Sequence, residues 1–213
     1  MTTIGLTGSR YLRQLDILPP EKLTFPITVI GAGAIGSAAV VTLAKMGCSN
    51  IAVWDDDVLE EKNISNQMCL ADLVGHSKVD ALEDLVQWLT EIQITKKPRQ
   101  YVGQPLTGVV IAATDSMESR KTIWKTCKYN ARVPLLIDAR MGAEFARIYS
   151  IIPTDPTAVQ FYEANLYDDA EPLPRRGQHG DPGTGAGHRP GQLGRAVDHV
   201  LAVVEQQQEP PGA

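Results

Sequence analysis

The sequence predicts an α/β fold, a doubly wound and mostly parallel sheet with a Rossmann-like nucleotide-binding half. Between residues 27 and 152, short apolar runs alternate with longer segments whose apolar residues recur at helical spacing. Such alternation is typical of parallel strands joined by right-handed helical crossovers, with helices on both faces of the sheet. A glycine-rich turn directly follows the first apolar run, where folds of this kind bind nucleotides.

The first half of the predicted sheet contains two strands and two helices. "ITVIG" is a short, bounded apolar run typical of a buried strand, and residues 34–46 predict a helix that Gly47 ends. "NIAVWD" predicts the second strand. "KVDALEDLVQWLT", residues 78–90, has apolar residues on one helical face and acids on the other, so it predicts an amphipathic helix.

Four further strands and one helix complete the prediction. The strands are expected in "PRQYVG" (98–103), "GVVIAATD" (108–115), "VPLLIDAR" (133–140) and "EFARIYSIIP" (144–153), the last of them antiparallel, and the helix in "SMESRKTIWKTCKYNA" (116–131). Asp115 and Glu118 have the spacing of a capping box for this helix. Capping is therefore one explanation for Asp115 that needs no ligand.

The chain divides into four predicted segments. They are an N-terminal arm (1–26), a nucleotide-binding domain (27–170), a Gly- and Pro-rich segment (171–195) and a short helix with a tail (196–213). The third segment has no apolar periodicity and cannot bury enough surface to fold alone. It is either a disordered linker or the product of a reading-frame slip, since Gly, Pro, Arg and His codons are frequent in GC-rich genes read out of frame. Sequencing the gene independently distinguishes the two.

Composition excludes several classes of protein. The formal net charge of −5 argues against a general nucleic-acid binder, which needs a basic face. No apolar run reaches the roughly 18 residues of a membrane span, and no signal-peptide pattern opens the chain, so we expect no membrane association and a cytoplasmic location. Cys48, Cys69 and Cys127 form no CxxC pair, which indicates reduced thiols rather than a zinc or disulfide framework.

"GAGAIG" and the acids that follow the second strand predict a nucleotide site. Gly31 permits the tight turn, Gly33 lets the backbone approach a phosphate, and Gly36 allows the helix to pack closely on the strand. Asp55, about 20 residues further on, is placed to accept hydrogen bonds from ribose hydroxyls, and Asp57 lies beside it. These residues alone fit an NAD(P)-dependent oxidoreductase equally well.

Four ordered motifs separate the candidates. "DDDVLEEKNISNQ" and "GHSKVDAL" resemble the segment of the ThiF/MoeB/ubiquitin-activating enzyme (HesA/MoeB/ThiF) superfamily in which an acidic strand end leads to N-x-x-R-Q and then to G-x-x-K. "ATDSMESR" resembles its T-D-N-x-x-x-R stretch, and the leader "RYLRQ" its R-Y-x-R-Q arm. The resemblance covers roughly residues 8–165, and four motifs in order are far more specific than a glycine loop alone.

The resemblance implies an adenylation domain that uses ATP and Mg²⁺. It implies that Asp55 holds the ribose, Asn63 and Lys78 contact phosphates, Arg13 binds the triphosphate, commonly across a dimer interface, and Asp115 holds Mg²⁺. The family's reaction activates the C-terminal glycine carboxylate of a ubiquitin-like or sulfur-carrier protein as an acyl-adenylate, with release of pyrophosphate. Arg13, Lys78 and Asp115 are then the catalytic residues, acting through positioning and electrostatics, and a homodimer is expected.

Departures from the family pattern keep two alternatives open. Asn66 stands where the N-x-x-R-Q motif has its arginine, and no cysteine follows Cys127 to form a thioester. The first alternative is therefore an inactive nucleotide-binding module that serves as a partner subunit, and the second is the oxidoreductase. Arg120 is expected to pair with an acid at the sheet rim, and Arg140 to contact either the substrate tail or the main chain.

Overall fold

Four-residue apolar runs form the centre of one six-stranded sheet. The computed structural model describes residues 10–141 and 146–168. The strands are β1 (Ile27–Ile30), β2 (Ile51–Trp54), β3 (Thr95–Lys97), β4 (Val109–Ala112), β5 (Leu135–Met141) and β6 (Ala146–Ile151), in the order β3-β2-β1-β4-β5-β6. β1 to β5 are parallel, and β6 is antiparallel to β5. The predicted doubly wound, mostly parallel α/β fold is confirmed.

Helices cover both faces of the sheet. They are α1 (Ala34–Lys45), α2 (Lys78–Thr90), α3 (Met117–Cys127) and α4 (Pro156–Glu163). One core contains side chains of α1 and α2 against the sheet, and the second contains side chains of α3 and α4 against its other face. Three short 3₁₀ helices lie at Pro20–Lys22, Glu61–Asn63 and Ala71–Leu73.

Two element predictions were wrong in position. The third strand is Thr95–Lys97, directly before the predicted 98–103, because Pro98 has no N–H to donate to a ladder and Tyr101 turns inward to pack edge-to-face with Trp54. The helix predicted over 116–131 ends at Cys127, because Tyr129 has a φ of +55° and its N–H donates to the carbonyl of Pro153.

The C-terminal end of α1 explains why Gly47 follows it. Gly47 has a φ of +97°, and its N–H donates to the carbonyl of Ala44. The N–H of Cys48 donates to the carbonyl of Leu43, which completes a Schellman motif. The glycine therefore ends the helix in the way the sequence predicts.

The arm packs on the C-terminal ends of α1 and α2. Arg10 donates from Nη1 to the carbonyl of Thr90 at 3.1 Å and from Nη2 to Glu91 at 2.7 Å. Gln14 donates from Nε2 to the carbonyl of Met46 at 2.6 Å. Since both helices run back from the carboxyl ends of their strands, the arm lies at the amino edge of the sheet, opposite the carboxyl ends of β1 and β2.

The predictions for residues 171–195 and 196–213 lie outside the described residues. The choice between a linker and a frame slip therefore stays with sequencing of the gene. Within residues 10–141 and 146–168, none of the helices combines the length and the apolar character needed to cross a bilayer.

Candidate functional site

A cavity of ≈ 590 Å³ opens at the carboxyl ends of β1, β2 and β4. In open α/β sheets this edge is where ligands bind. Most of the residues that the sequence singles out line it: Gly31, Gly33, Asp55, Asp57, Asn63, Lys78 and Asp115. The fold thus brings together residues from four separate segments of the chain.

The glycine loop leaves one position open toward the cavity. Gly31 has a φ of +98°, and a Cβ there would lie 2.5 Å from the carbonyl oxygen of Ala113. A Cβ on Gly36 would lie 1.8 Å from the carbonyl oxygen of Gly31, so Gly36 serves packing and does not line the cavity. Gly33 is the N-cap of α1, and a Cβ there would meet nothing within 4 Å. An anion therefore has room to approach the N-terminus of α1, whose first N–H groups have no intrahelical partners.

Asp55 connects the glycine loop to the loop after β2. Its Oδ2 accepts from the N–H of Ala32 at 2.6 Å and its Oδ1 from the N–H of Asp57 at 2.9 Å. Burial raises the pKa of Asp55, while these two hydrogen bonds and nearby Lys78 oppose the rise. Each carboxylate oxygen keeps a second lone pair, with which it can accept from a ligand hydroxyl.

Lys78 is the first residue of α2 and lines the cavity. A cation is unfavourable at a helix N-terminus, where the dipole is positive. The cost is offset by Asp57, whose Oδ2 lies 2.6 Å from Nζ of Lys78. The Lys78 side chain is only 12% exposed, so the protein encloses most of it at the cavity wall.

Asn63 is buried and presents its amide group to the same cavity. Its side-chain oxygen accepts from the N–H of Glu60 at 2.9 Å as part of a capping box at the 3₁₀ helix Glu61–Asn63. Because the oxygen is engaged in this way, the NH₂ group is the part of Asn63 able to donate to a phosphate.

Asp115 is exposed and lines the cavity. The prediction that it caps the following helix was wrong. Ser116 is the N-cap of α3, since its Oγ accepts from the N–H of Ser119 at 3.1 Å. Ser116 occupies the N-cap position because α3 begins at Met117, one residue later than a capping box on Asp115 requires. Capping therefore does not require the Asp115 carboxylate, which could serve as an oxygen ligand for a divalent cation.

Arg120 fastens the loop that carries Asp115. Its Nε donates to Oδ1 of Asp138 at 2.9 Å, and its other nitrogens donate to the carbonyls of Thr114 and Ser116. Asp138 is completely buried. The predicted pairing of Arg120 with an acid is thus confirmed.

Arg140 is held in the interior. It donates from Nε to Oδ2 of Asp138 at 2.8 Å and from Nη1 to the carbonyl of Asn165 at 2.8 Å. Its guanidinium carbon also lies 4.4 Å from the ring centroid of Tyr149. Of the two expectations for Arg140, contact with the main chain is the one observed.

Arg13 is not brought to this cavity by its own chain. It is exposed on the arm at the opposite edge of the sheet and does not line the cavity. Asn66 is also exposed and does not line it.

Several cavity residues escaped the sequence analysis. Trp54 and Tyr101 form an aromatic wall, with ring centroids 5.5 Å apart at 88°. Glu60 and Lys62 line the opening, and no motif distinguishes them from ordinary surface residues. A signal for Trp54 was available, since it directly precedes Asp55 at the end of a parallel strand.

The cavity is rich in acid. Within residues 10–141 and 146–168, five carboxylates line it, on Asp55, Asp56, Asp57, Glu60 and Asp115, against Lys62 and Lys78. The ligand-capable oxygens of the first three lie within 4.8 Å of one another. An anionic nucleotide is therefore favoured here only together with additional cations, from a metal ion or another chain.

Comparison with known proteins identifies the family. The model of the ThiF family matches residues 21–172. SAMP-activating enzyme E1 of Haloferax volcanii is 28% identical over 162 residues, and adenylyltransferase and sulfurtransferase MOCS3 of Arabidopsis thaliana is 31% identical over 153. The matches cover 69% and 63% of this chain and 59% and 32% of those proteins, so the chain spans only part of their length.

A solved structure of similar fold is E. coli MccB with AMPCPP and MccA. It superposes with a TM-score of 0.62 at 18% identity, covering 76% of this chain and 57% of MccB. At this level of identity the likeness concerns the fold. Because the family model extends over most of the sequence, including the cavity residues described above, the chain belongs to the ThiF family.

Proposed function

We propose that this chain binds ATP with Mg²⁺ and adenylates the C-terminal glycine carboxylate of a small ubiquitin-like or sulfur-carrier protein. The observation that carries the proposal is the convergence of the open Gly33 position, Asp55, Asn63, Lys78 and Asp115 on one cavity. The names of the relatives, an E1 and an adenylyltransferase, support the same chemistry.

The reaction is a displacement at the α-phosphorus of ATP. A carboxylate oxygen of the protein substrate forms a bond to that phosphorus, and the bond to the bridging oxygen breaks, so that pyrophosphate leaves with the electron pair. Asp55 accepts from the ribose, while Asn63 and Lys78 donate to phosphate oxygens. Asp115 would hold a Mg²⁺ ion, whose charge would stabilise the leaving pyrophosphate. The protein contributes positioning and electrostatics and needs no side-chain nucleophile.

A homodimer is part of the proposal, because Arg13 lies at the edge of the sheet opposite its own cavity. Arg10 and Gln14 tie the arm there through Thr90, Glu91 and Met46. An arm held in this way supplies Arg13 to a nucleotide only in a second copy. A symmetric dimer meets this requirement for both cavities at once.

An inactive module is the alternative that a specific observation favours. Asn66 replaces the family arginine and is exposed. Without that arginine, the described cavity has two lysines against five carboxylates. Such a chain binds nucleotide and leaves catalysis to a partner subunit. Activity with a carrier protein separates this alternative from the main proposal.

Titration calorimetry with Mg·ATP and with NAD tests the proposed ligand. We expect ATP to bind selectively, and Lys78→Ala to weaken it about tenfold or more, since a charge-assisted hydrogen bond is lost. Lys125→Ala, which removes an exposed lysine of α3, is the matched control and leaves ATP affinity unchanged. NAD binding that is indifferent to Lys78→Ala favours the oxidoreductase instead.

ATP–pyrophosphate exchange then tests catalysis. Exchange that depends on a carrier protein ending in glycine supports the adenylyltransferase. Tight ATP binding with no exchange, for every carrier protein encoded beside this chain, favours the inactive module.

A further inference from the structure

The missing guanidinium leaves the cavity short of positive charge. In the family pattern an arginine occupies the position of Asn66, and here Asn66 is exposed and does not line the cavity. Among the described residues, Lys62 and Lys78 are the two basic side chains at the cavity wall. Lys78 is already engaged with Asp57 at 2.6 Å.

Lys62 lies directly before the buried Asn63, and both residues line the cavity. The N–H of Asn63 donates to the carbonyl of Glu60, that of Ile64 to Glu61, and that of Gln67 to Asn63. These bonds form the 3₁₀ helix Glu61–Asn63 and the turn that follows it, and they hold Lys62 and Asn63 at the cavity wall while Asn66 lies outside it. A long side chain at position 62 therefore reaches the cavity next to Asn63, the predicted phosphate contact.

Lys62 is free to move toward a ligand. Its Nζ lies 2.8 Å from Oε2 of Glu60, but the two side chains are 73% and 59% exposed, and exposed pairs of this kind are weak. Glu60 raises the pKa of Lys62, so the amine carries its charge at neutral pH. The flexible four-carbon stem of lysine allows the ammonium to exchange Glu60 for a more highly charged partner.

We infer that Lys62 replaces the missing arginine and contacts the β- or γ-phosphate of bound ATP, leaving Glu60 when the nucleotide enters. This inference rests on the proposed function, since it assigns a further phosphate ligand in the same cavity. It predicts that Lys62 matters for ATP and not for AMP, which lacks the two outer phosphates.

The test compares Mg·ATP and AMP by titration calorimetry on the full chain. Lys62→Ala weakens ATP about tenfold and AMP less than about twofold, as expected for one lost charge-assisted contact. Asn66→Arg added to Lys62→Ala returns a guanidinium to the family position and restores ATP affinity. Lys125→Ala is the control for loss of an exposed lysine. Lys62→Gln, which keeps most of the side-chain length and removes the charge, replaces Lys62→Ala if thermal unfolding shows a damaged fold.

The outcomes separate the inference from the proposed function. Wild-type ATP affinity in Lys62→Ala overturns the role of Lys62 while leaving the proposed function intact. Equal weakening of ATP and AMP also overturns it, because the residue then acts on the fold of the site. Failure of the wild-type chain to bind either nucleotide overturns both.

Discussion

Arg120 and Asp138 form a buried ion pair, with Nε of the arginine 2.9 Å from Oδ1 of the carboxylate. The same carboxylate accepts from Arg140 and, at 2.8 Å, from the hydroxyl of Tyr162. Since Arg120 also donates to the carbonyls of Thr114 and Ser116, the pair ties β5 to the loop that presents Asp115. The position of Asp115, the predicted magnesium ligand, thus depends on Asp138, which does not line the cavity.

Asp138→Asn is expected to destabilise the fold by about 3–5 kcal/mol, because it leaves two buried guanidinium groups without their counter-charge. The free energy of unfolding in urea measures the loss. Asp84→Asn removes an exposed carboxylate from α2 and is the control, with a change within about 0.5 kcal/mol. Similar losses in the two variants contradict the importance of the pair.

Gly36→Ala is expected to lower stability, whereas Gly33→Ala is expected to weaken ATP binding with little effect on stability. A methyl group at Gly36 meets a backbone oxygen, so the free energy of unfolding falls by about 2–3 kcal/mol. A methyl group at Gly33 meets open space, so stability changes by about 1 kcal/mol or less, while ATP affinity falls because the phosphate can no longer reach the backbone. Calorimetry with ATP and urea unfolding check the pair. Unchanged ATP affinity in Gly33→Ala argues against a phosphate at this position.

Mixing two variants tests whether Arg13 acts across a dimer. Arg13→Ala and Lys78→Ala each weaken ATP binding when they are alone. In a dimer of one copy of each, one cavity combines an intact Lys78 with an intact arm from the partner, so about a quarter of all cavities in an equimolar mixture regain wild-type affinity. Calorimetric stoichiometry of the mixture measures this fraction. If chains that are shown to exchange subunits give no high-affinity cavities when they are mixed, Arg13 does not act in the cavity of a second copy.

Thiol reactivity is expected to distinguish the three cysteines. Burial raises the pKa of Cys48 to about 11 and that of Cys127 to about 12, so neither carries an appreciable thiolate fraction at pH 8. Cys69 is half-buried, and burial raises its pKa less strongly. Ellman's reagent therefore labels one thiol slowly in the native protein and three after unfolding. The labelling rate of Cys69 rises with pH, since the thiolate is the reactive form.

Loss of native labelling in Cys69→Ser completes the assignment. Labelling of more than one thiol in the native protein at pH 8 contradicts the burial of Cys48 and Cys127.

The sequence by itself determined the fold class, four of the five parallel strands and seven of the residues that line the cavity. Buried parallel strands must be apolar and their connecting helices amphipathic, so composition and periodicity report them directly. The edge strand β3 escaped because "TKK" is polar. Its Lys96 pairs with Asp80 and Glu83 of α2 at 2.8 and 2.5 Å, contacts that no local pattern reveals.

Only the tertiary structure decided which of the singled-out residues meet. It placed Asp55, Lys78 and Asp115 at one cavity and left Arg13 at the far edge of the sheet, since the direction of each helix determines where its ends lie. It also showed Lys62 at the cavity and Asn66 outside it. Motif spacing records the order of residues along the chain, whereas charge balance in a cavity depends on side chains that come together from distant segments.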